Sequence, residues 1–445
     1  MAMDFLSRAW RGEDPDVHLT DEIQSLAHSL RSAGDLDPLI DSIGDSRFVL
    51  LGEASHGTSE FYSWRAEISQ RLILEKGFSF IAVEGDWPDC YTVNRFVKGL
   101  EGDSAAEVLH AFSRWPTWMW ANREIVELAA WMRHHNEKRP PSRQAGFFGL
   151  DVYSLWDSMH EVVEYLESID PELARGARNA YSCFEPYVED AQEYARATVL
   201  VPTSCEDEAV RVLRAVRSKS RQFREDGHDA FFNAEQNALV AQNAELYYRT
   251  MIRGGAASWN VRDHHMVETL NRLMKHHGPS SKAIVWAHNT HIGDARFTDM
   301  ARSGMVNVGQ LVRQQHGGDG VVLVGFGTDR GTVVAASEWG APMRKMKVPP
   351  ARTGSYESAI KSAGVGDSLF LFDDESTEAL TEPRGHRAIG VVYDPRTEHW
   401  GNYVPTILPK RYDAFVFIES TKALDALHIR PVTEGEMPET YPTGQ

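Results

Sequence analysis

Four ionisable side chains stand at or just past the ends of short apolar runs: Glu53 after FVLLG, Glu84 ending FIAV, Asp151 ending FFGL and His288 ending AIVWA. Carboxylates and imidazoles hold and exchange protons near neutral pH, so a set of them gathered in one place suits general acid–base work. His56 is the foremost base candidate. It lies in the turn Gly52-Glu53-Ala54-Ser55-His56-Gly57-Thr58, where the glycines permit tight geometry and Thr58 or Ser59 can cap the next helix. The positive end of that helix favours the neutral, proton-accepting imidazole; the plainer reading is a turn histidine bonded to backbone. Within the helix, Phe61, Arg65, Ile68 and Leu72 share one face, and Arg65 interrupts an apolar stripe. An inward guanidinium needs a partner, because an unpaired buried charge is very costly. Either Arg65 pairs with Glu53 or Glu84, or it binds a carbonyl oxygen or developing oxyanion.

Other motifs are less specific. In Val83-Glu84-Gly85-Asp86-Trp87-Pro88-Asp89, Asp86 and Asp89 read as caps of a proline-started helix, and Glu84 points to the crevice. His288-Asn289-Thr290-His291 is an HxxH without a third ligand at fixed spacing, so it suits a proton-transfer pair or a metal site. No cofactor is expected; a metal, if any, would use Glu53, Glu84 and His288. Trp115-Pro116-Thr117-Trp118-Met119-Trp120 lines an apolar cleft, with Trp118 as a substrate contact, or belongs to the core. The histidine pairs His134–His135, His264–His265 and His276–His277 fall on polar helices and read as solvated. There is no GxSxG elbow, Walker loop or GxGxxG after the first strand, which disfavours serine-esterase, P-loop and dinucleotide architectures.

These side chains meet only if the intervening elements bring them together. Apolar runs recur at Asp45–Gly52, Phe78–Glu84, Gly146–Asp151, Ala283–His288, Gly320–Gly325, Ser368–Phe372, Ala388–Tyr393 and Ala414–Ile418. Their continuous apolarity suggests strands covered on both faces. Helical patterns at Asp21–Arg31, Ser59–Lys76, Ile125–Lys138 and Trp156–Ser168 alternate with the early runs. That is the α/β signature. In such sheets strand carboxyl ends collect on one edge, beside a ligand crevice. From 171 to 277 the strand signal gives way to long helices such as Asn233–Ile252 and Arg262–His276. The expectation is a three-layer α/β/α fold with a mixed, mostly parallel sheet. Residues 1–170 begin the α/β core, 171–277 form a helical insertion or lid, 278–425 complete the core and 426–445 are a tail. Stretches near 316–331 and 374–387 read as loops.

The chain has 445 residues, 42% hydrophobic and 25% charged, as a folded globular protein does. With 46 basic and 64 acidic residues the net charge is −18 and no basic stripe stands out, which argues against nucleic acid as a partner. Three cysteines, Cys90, Cys183 and Cys205, without CxxC spacing read as no disulfide framework and suit a reducing compartment. The amino-terminal stretch lacks the apolar centre of a signal peptide, and no run is long enough to span a membrane. A cytoplasmic location without a membrane partner is expected. The oligomeric state is left open.

The segments LGEASHGTSEFYSWRAEISQRLI, FIAVEGDWPD, FFGLDVYS, WNVRDHHM and WAHNTHIGDAR occur in this order over roughly residues 47 to 296. In them the chain resembles the erythromycin esterase family, which includes succinoglycan-biosynthesis-like proteins. The resemblance implies hydrolysis of an ester or lactone by water, without a covalent serine intermediate, and hence a small-molecule ester or lactone as partner. By motif position His56 corresponds to the general base. Glu53, Arg65, Glu84 and His288 correspond to other essential cleft residues, and His291 to the next contributor. Asp151, Arg262 and Asp263 fall where carboxylates and guanidinium groups would orient those side chains.

Overall fold

The computed structural model describes residues 15–427, apart from 188–190, 201–203, 220–227, 253, 318–319 and 373–378. Its strands are β1 (Ala27–Ser29), β2 (Phe48–Leu51), β3 (Phe80–Val83), β4 (Gly146–Gly149), β5 (Ala283–Trp286), β6 (Val321–Ala335), β7 (Arg344–Val348), β8 (Ser368–Leu371), β9 (Arg384–Arg387), β10 (Tyr403–Thr406) and β11 (Ala414–Thr421). Nine of them form one sheet in the order β1-β8-β11-β6-β2-β5-β3-β4, with β7 paired to β6. The run from β11 to β4 is parallel throughout, while β1, β7 and β8 join antiparallel.

Every residue of β2, β3 and β5 is buried. Alternate side chains feed two different cores, as the two-residue period of a strand requires. Val49, Leu51, Ile81, Val83, Ile284 and Trp286 enter one; Phe48, Leu50, Phe80, Ala82, Ala283 and Val285 enter the other. This double burial is why those segments are continuously apolar. Helix α1 (Ser59–Lys76) covers the first face through Phe61, Ile68 and Leu72, and α2 (Trp87–Val97) starts directly after β3. On the other face lies α3 (Ala256–His277), packing Met266, Leu270 and Leu273 onto the sheet. A third core is made mainly by helices, from Val152 to Met251, including Leu155–Ile169 and His228–Met251.

Several expectations are corrected. The first helix spans Pro15–Leu26, and Ala27–Ser29 leaves it to pair with β8 at the sheet edge. The stretch near 316–331 is no loop: from Val321 it is β6, which continues to Ala335. Its glycines lie where bulky rings crowd the sheet, a Cβ on Gly325 meeting Tyr412 and one on Gly327 meeting Phe415. Part of 374–387 is also strand, since β9 pairs with β10, whereas Ala388–Tyr393 holds only isolated bridges through Ile389 and Val392. Positions 373–378, residues 1–14 and the tail from 428 lie outside the described residues. Cys183 and Cys205 are joined in a disulfide with Cα atoms 5.8 Å apart. Cysteine usage therefore no longer argues for a reducing compartment. Of the histidines read as solvated, His135 and His265 are buried. Among the described residues no helix is long and apolar enough to cross a membrane.

The turn after β2 is pinned to β6. The Gly57 carbonyl accepts from the N–H groups of Val334 and Leu424 at 3.0 Å each, and a Cβ on Gly57 would sit 1.9 Å from the Val334 oxygen. Backbone cannot yield as a flexible side chain does. Gly57→Ala is therefore expected to destabilise the fold by about 2 kcal/mol or more, read as a lowered urea midpoint.

Candidate active site

The sheet order sets β5 between β2 and β3, with β4 beyond β3. Glu53, His288, Glu84 and Asp151 thus follow neighbouring strands at one edge, and all four are buried. A partly enclosed cleft opens there. His56, Glu84, Asp151, Arg262, His288 and His291 all line it. Glu53, Arg65, Asp263 and Trp118 do not.

Glu53 bridges two residues. One carboxylate oxygen is 2.8 Å from His56 Nδ1, and the other accepts from Arg65 Nη2 at 2.6 Å. Arg65 is wholly buried, its guanidinium 4.4 Å from the Tyr62 ring centroid and 4.5 Å from that of Trp286. The ion-pair alternative for Arg65 is thus realised, and the oxyanion role is not: the guanidinium lies behind Glu53, off the cleft wall. Its effect on the cleft passes through the carboxylate. Glu53 in turn fixes the His56 ring with the proton on Nδ1, which leaves the Nε2 lone pair unengaged among the described residues. The Tyr62 hydroxyl donates to the His56 carbonyl at 3.0 Å and steadies the turn from below.

His288 caps the short helix α4 (Asn289–Ile292). Its Nδ1 accepts the Thr290 N–H at 3.3 Å and lies 2.8 Å from the Thr290 hydroxyl. A nitrogen that accepts an N–H carries no proton, so the neutral ring bears its hydrogen on Nε2. That atom is buried and makes no hydrogen bond of ordinary geometry among the described residues, although the Ala54 backbone favours the charged ring. Burial first, then His56, hold His288 well below the ordinary histidine range. The ring is a neutral donor, with its centroid 4.9 Å from that of His56.

Glu84 ties the far side together. One oxygen accepts the His288 N–H at 2.8 Å; the other accepts from Arg262 Nη2 at 2.7 Å and lies 3.4 Å from His291 Nε2. Burial pushes this carboxyl up, but His291 and Arg262 outweigh it and hold it far below the usual range. Arg262 also grips Asp151 with two bonds, at 2.9 and 2.7 Å. Despite burial, Asp151 is lowered by Arg262, and Arg262 is raised by Asp151. His291 stacks on Trp259 and sets Nδ1 3.0 Å from both oxygens of Asp263. Burial opposes its charge, yet Asp263 and Glu84 raise it. Its Nε2 also sits 3.1 Å from Arg262 Nη1, which can donate to the neutral ring, while Glu84 can accept from the charged one.

With the Glu53 and Glu84 oxygens committed in this way, no group of three or more metal-type side chains stands ready to hold an ion among the described residues. The lining also contains residues the sequence did not single out: Phe112, Arg114, Tyr153 and Trp339, beside Trp115 and Trp120. Trp118 instead packs in the core. Asp86 pairs with Arg114 rather than capping its helix through its side chain. Asp89 is pushed up to about 7 by burial and by Asp86 and Asp157. Tyr153 lies between two guanidinium groups, 5.0 Å from that of Arg114 and 4.8 Å from that of Arg262. The sequence signal for Tyr153 was its place two residues past Asp151; nothing local marked Arg114.

Two predictions follow from this electrostatic arrangement. Arg65→Met leaves Glu53 buried without its cation and is expected to cost about 3–5 kcal/mol. Glu53→Gln in the same chain should recover part of that loss, measured by a double-mutant cycle in urea. Beneath the site, buried His265 is lowered to about 4, with burial the main cause. The unfolded chain takes up a proton there below about pH 6.5 that the folded chain refuses, so stability falls as pH drops from about 6.5 to 4, by up to roughly 3 kcal/mol. His265→Gln should flatten that slope. His291, being raised, contributes oppositely: its stabilisation is full below the unfolded value and fades as pH climbs through the folded one.

The erythromycin esterase family model matches residues 73–421. Erythromycin esterase type II of Escherichia coli is 21% identical over 425 residues, covering 91% of this chain and 96% of the relative. YbfO of Bacillus subtilis strain 168, named as a hydrolase, is 22% identical over 418 residues, covering 89% and 88%. Among solved structures, a succinoglycan biosynthesis protein aligns with a TM-score of 0.77 at 21% identity, over 92% of this chain and 98% of the other. An erythromycin esterase mutant in its open conformation aligns with a TM-score of 0.65 at 17% identity, over 88% and 95%. The fold is shared with both, the names of family and relatives point to a hydrolase, and the chain belongs to the erythromycin esterase family.

Proposed function

We propose that this protein is a carboxylic ester hydrolase that opens an ester or macrolide lactone with water activated by His56. The observation that carries the reading is the pairing of two imidazoles in the lining of one cleft, one tied to a carboxylate through Nδ1 and the other with no hydrogen-bond partner on its Nε2 among the described residues. Water held at His56 Nε2 loses its proton to the ring as its oxygen bonds to the acyl carbon. The carbonyl oxygen takes up the electron pair and receives a hydrogen bond from His288 Nε2. When the tetrahedral species collapses, the carbon–alkoxide bond breaks and the alkoxide takes the proton from His56. The products are an acid and an alcohol, joined in one chain if the substrate was a lactone. Glu53 stabilises the imidazolium formed midway, and Arg65 holds that carboxylate in place from behind.

Segment 171–277, expected as a helical insertion or lid, supplies Trp259 and Arg262 to the cleft lining through α3, and these side chains help set the size of substrate the cleft takes. The macrolide assignment leans on the family; the chemistry of the site fits other esters equally, including acylated polysaccharides. Mass analysis separates them: a gain of one water on erythromycin supports macrolide inactivation, and turnover only of other esters removes it. His56→Asn is expected to lower kcat by about a thousandfold while ligand affinity and the unfolding midpoint stay near those of the parent. A fully active variant would rule out His56 as the base.

A further inference from the structure

We propose that Asn289, His386 and Glu357 form a buried positioning chain that holds the turn carrying His288, making His386 and Glu357 positioning residues for the reaction proposed above. Asn289 joins the two halves of the site. It follows His288 directly, and its N–H donates to the Glu53 carbonyl at 2.8 Å. Its own carbonyl accepts from Arg411 Nη2 at 2.8 Å. A displacement of Asn289 therefore moves the donor imidazole and disturbs the residue that orients the base.

The side-chain hydrogen bonds leave little freedom. Asn289 pairs with the backbone of Phe326 in β6, accepting its N–H at 3.2 Å and donating to its carbonyl at 2.7 Å. This fixes which end of the amide carries the hydrogens. The remaining hydrogen on Nδ2 then points to His386 Nε2 at 3.1 Å, which must accept it. His386 is thereby neutral, with its hydrogen on Nδ1, 2.7 Å from a Glu357 oxygen that also accepts the Arg387 N–H at 2.8 Å. Burial favours the same neutral ring. Glu357 opens helix α5 (Tyr356–Ser362) and His386 lies in β9, so the chain links the site to elements more than sixty positions from it. Asn289, His386 and Glu357 are at most 1% exposed, which rules out contact with substrate. The sheet makes room for the arrangement at Gly52, where a Cβ would lie 2.1 Å from the Asn289 Oδ1.

If these contacts only filled the core, any apolar replacement that folds would leave chemistry unchanged. The test uses the full chain with His386→Leu, which removes both bonds, and His386→Gln, whose amide can accept from Asn289 and donate to Glu357. On an ester the parent hydrolyses, His386→Leu is expected to lower kcat about tenfold or more with KM within about twofold, and His386→Gln to restore kcat to within about threefold. Independently of any activity, imidazole ¹⁵N spectra should show His288 as a single Nε2–H tautomer in the parent and His386→Gln, and as a tautomer mixture in His386→Leu. A folded His386→Leu with parental kcat and unmoved His288 signals would overturn the proposal, as would a loss confined to KM. Should that variant not fold, Glu357→Gln takes its place, with kcat expected to fall about threefold or more at constant KM and an unchanged kcat counting against it. If the parent hydrolyses no ester offered, the esterase reading fails on its own account, and the spectra still decide the positioning chain.

Discussion

The site depends on a charge buried where water cannot reach it. Arg65 carries its guanidinium at zero exposure between the rings of Tyr62 and Trp286, with the Glu53 carboxylate as its ionic partner. Its Nε and Nη1 have no hydrogen-bond partner among the described residues, so the ring faces take up that side of the charge. Burial makes the pair costly to build and costlier to break. What the fold gains is geometric: Glu53 cannot swing away, and His56 keeps one ring orientation and one tautomer. A solvent-exposed carboxylate would hold the imidazole far more loosely.

The rest of the architecture delivers partners to that fixed pair. Setting β5 between β2 and β3 places His288 beside Glu53 on one side and Glu84 on the other, and Glu84 confirms the spacing by accepting the His288 N–H. Helix α3 then brings Arg262 and Asp263 on consecutive positions. Arg262 closes on Glu84 and Asp151, while Asp263 closes on His291. Arg262 is thus the cation shared by Glu84 and Asp151, Asp263 and His291 hold one another, and the imidazoles of His56 and His288 face the cleft beside them.

Strand ends were legible because continuous apolar runs mark doubly covered strands, and polar residues at their carboxyl ends have one place to go. Glu53, Glu84, Asp151 and His288 came from that rule alone, and His56 from turn chemistry. Arg65 was recognised as buried, but the helical stripe could not say whether its head faces the cleft or the carboxylate behind it, since one helix face serves both. The extent of β6 was hidden by glycines, whose reason is the approach of Tyr412 and Phe415 from β11 and the turn before it. The Cys183–Cys205 bond, the Asp86–Arg114 pair and the Tyr153 stack join elements whose proximity no local pattern encodes. Trp118 shows the same limit within a single motif, since its neighbours Trp115 and Trp120 reach the cleft and it does not.

The two central imidazoles divide their labour through environment rather than identity. Two rings 4.9 Å apart cannot both be charged without strong repulsion. His56 has a carboxylate on its Nδ1, whereas His288 has a hydroxyl and a backbone N–H there, and burial besides, which hold His288 neutral. Once His56 is charged, its field makes protonation of His288 harder still, which keeps the donor neutral through the very step in which the oxyanion needs its N–H. Environments that set two like groups apart in this way are the usual means by which one site supplies both a base and a hydrogen-bond donor at a single pH.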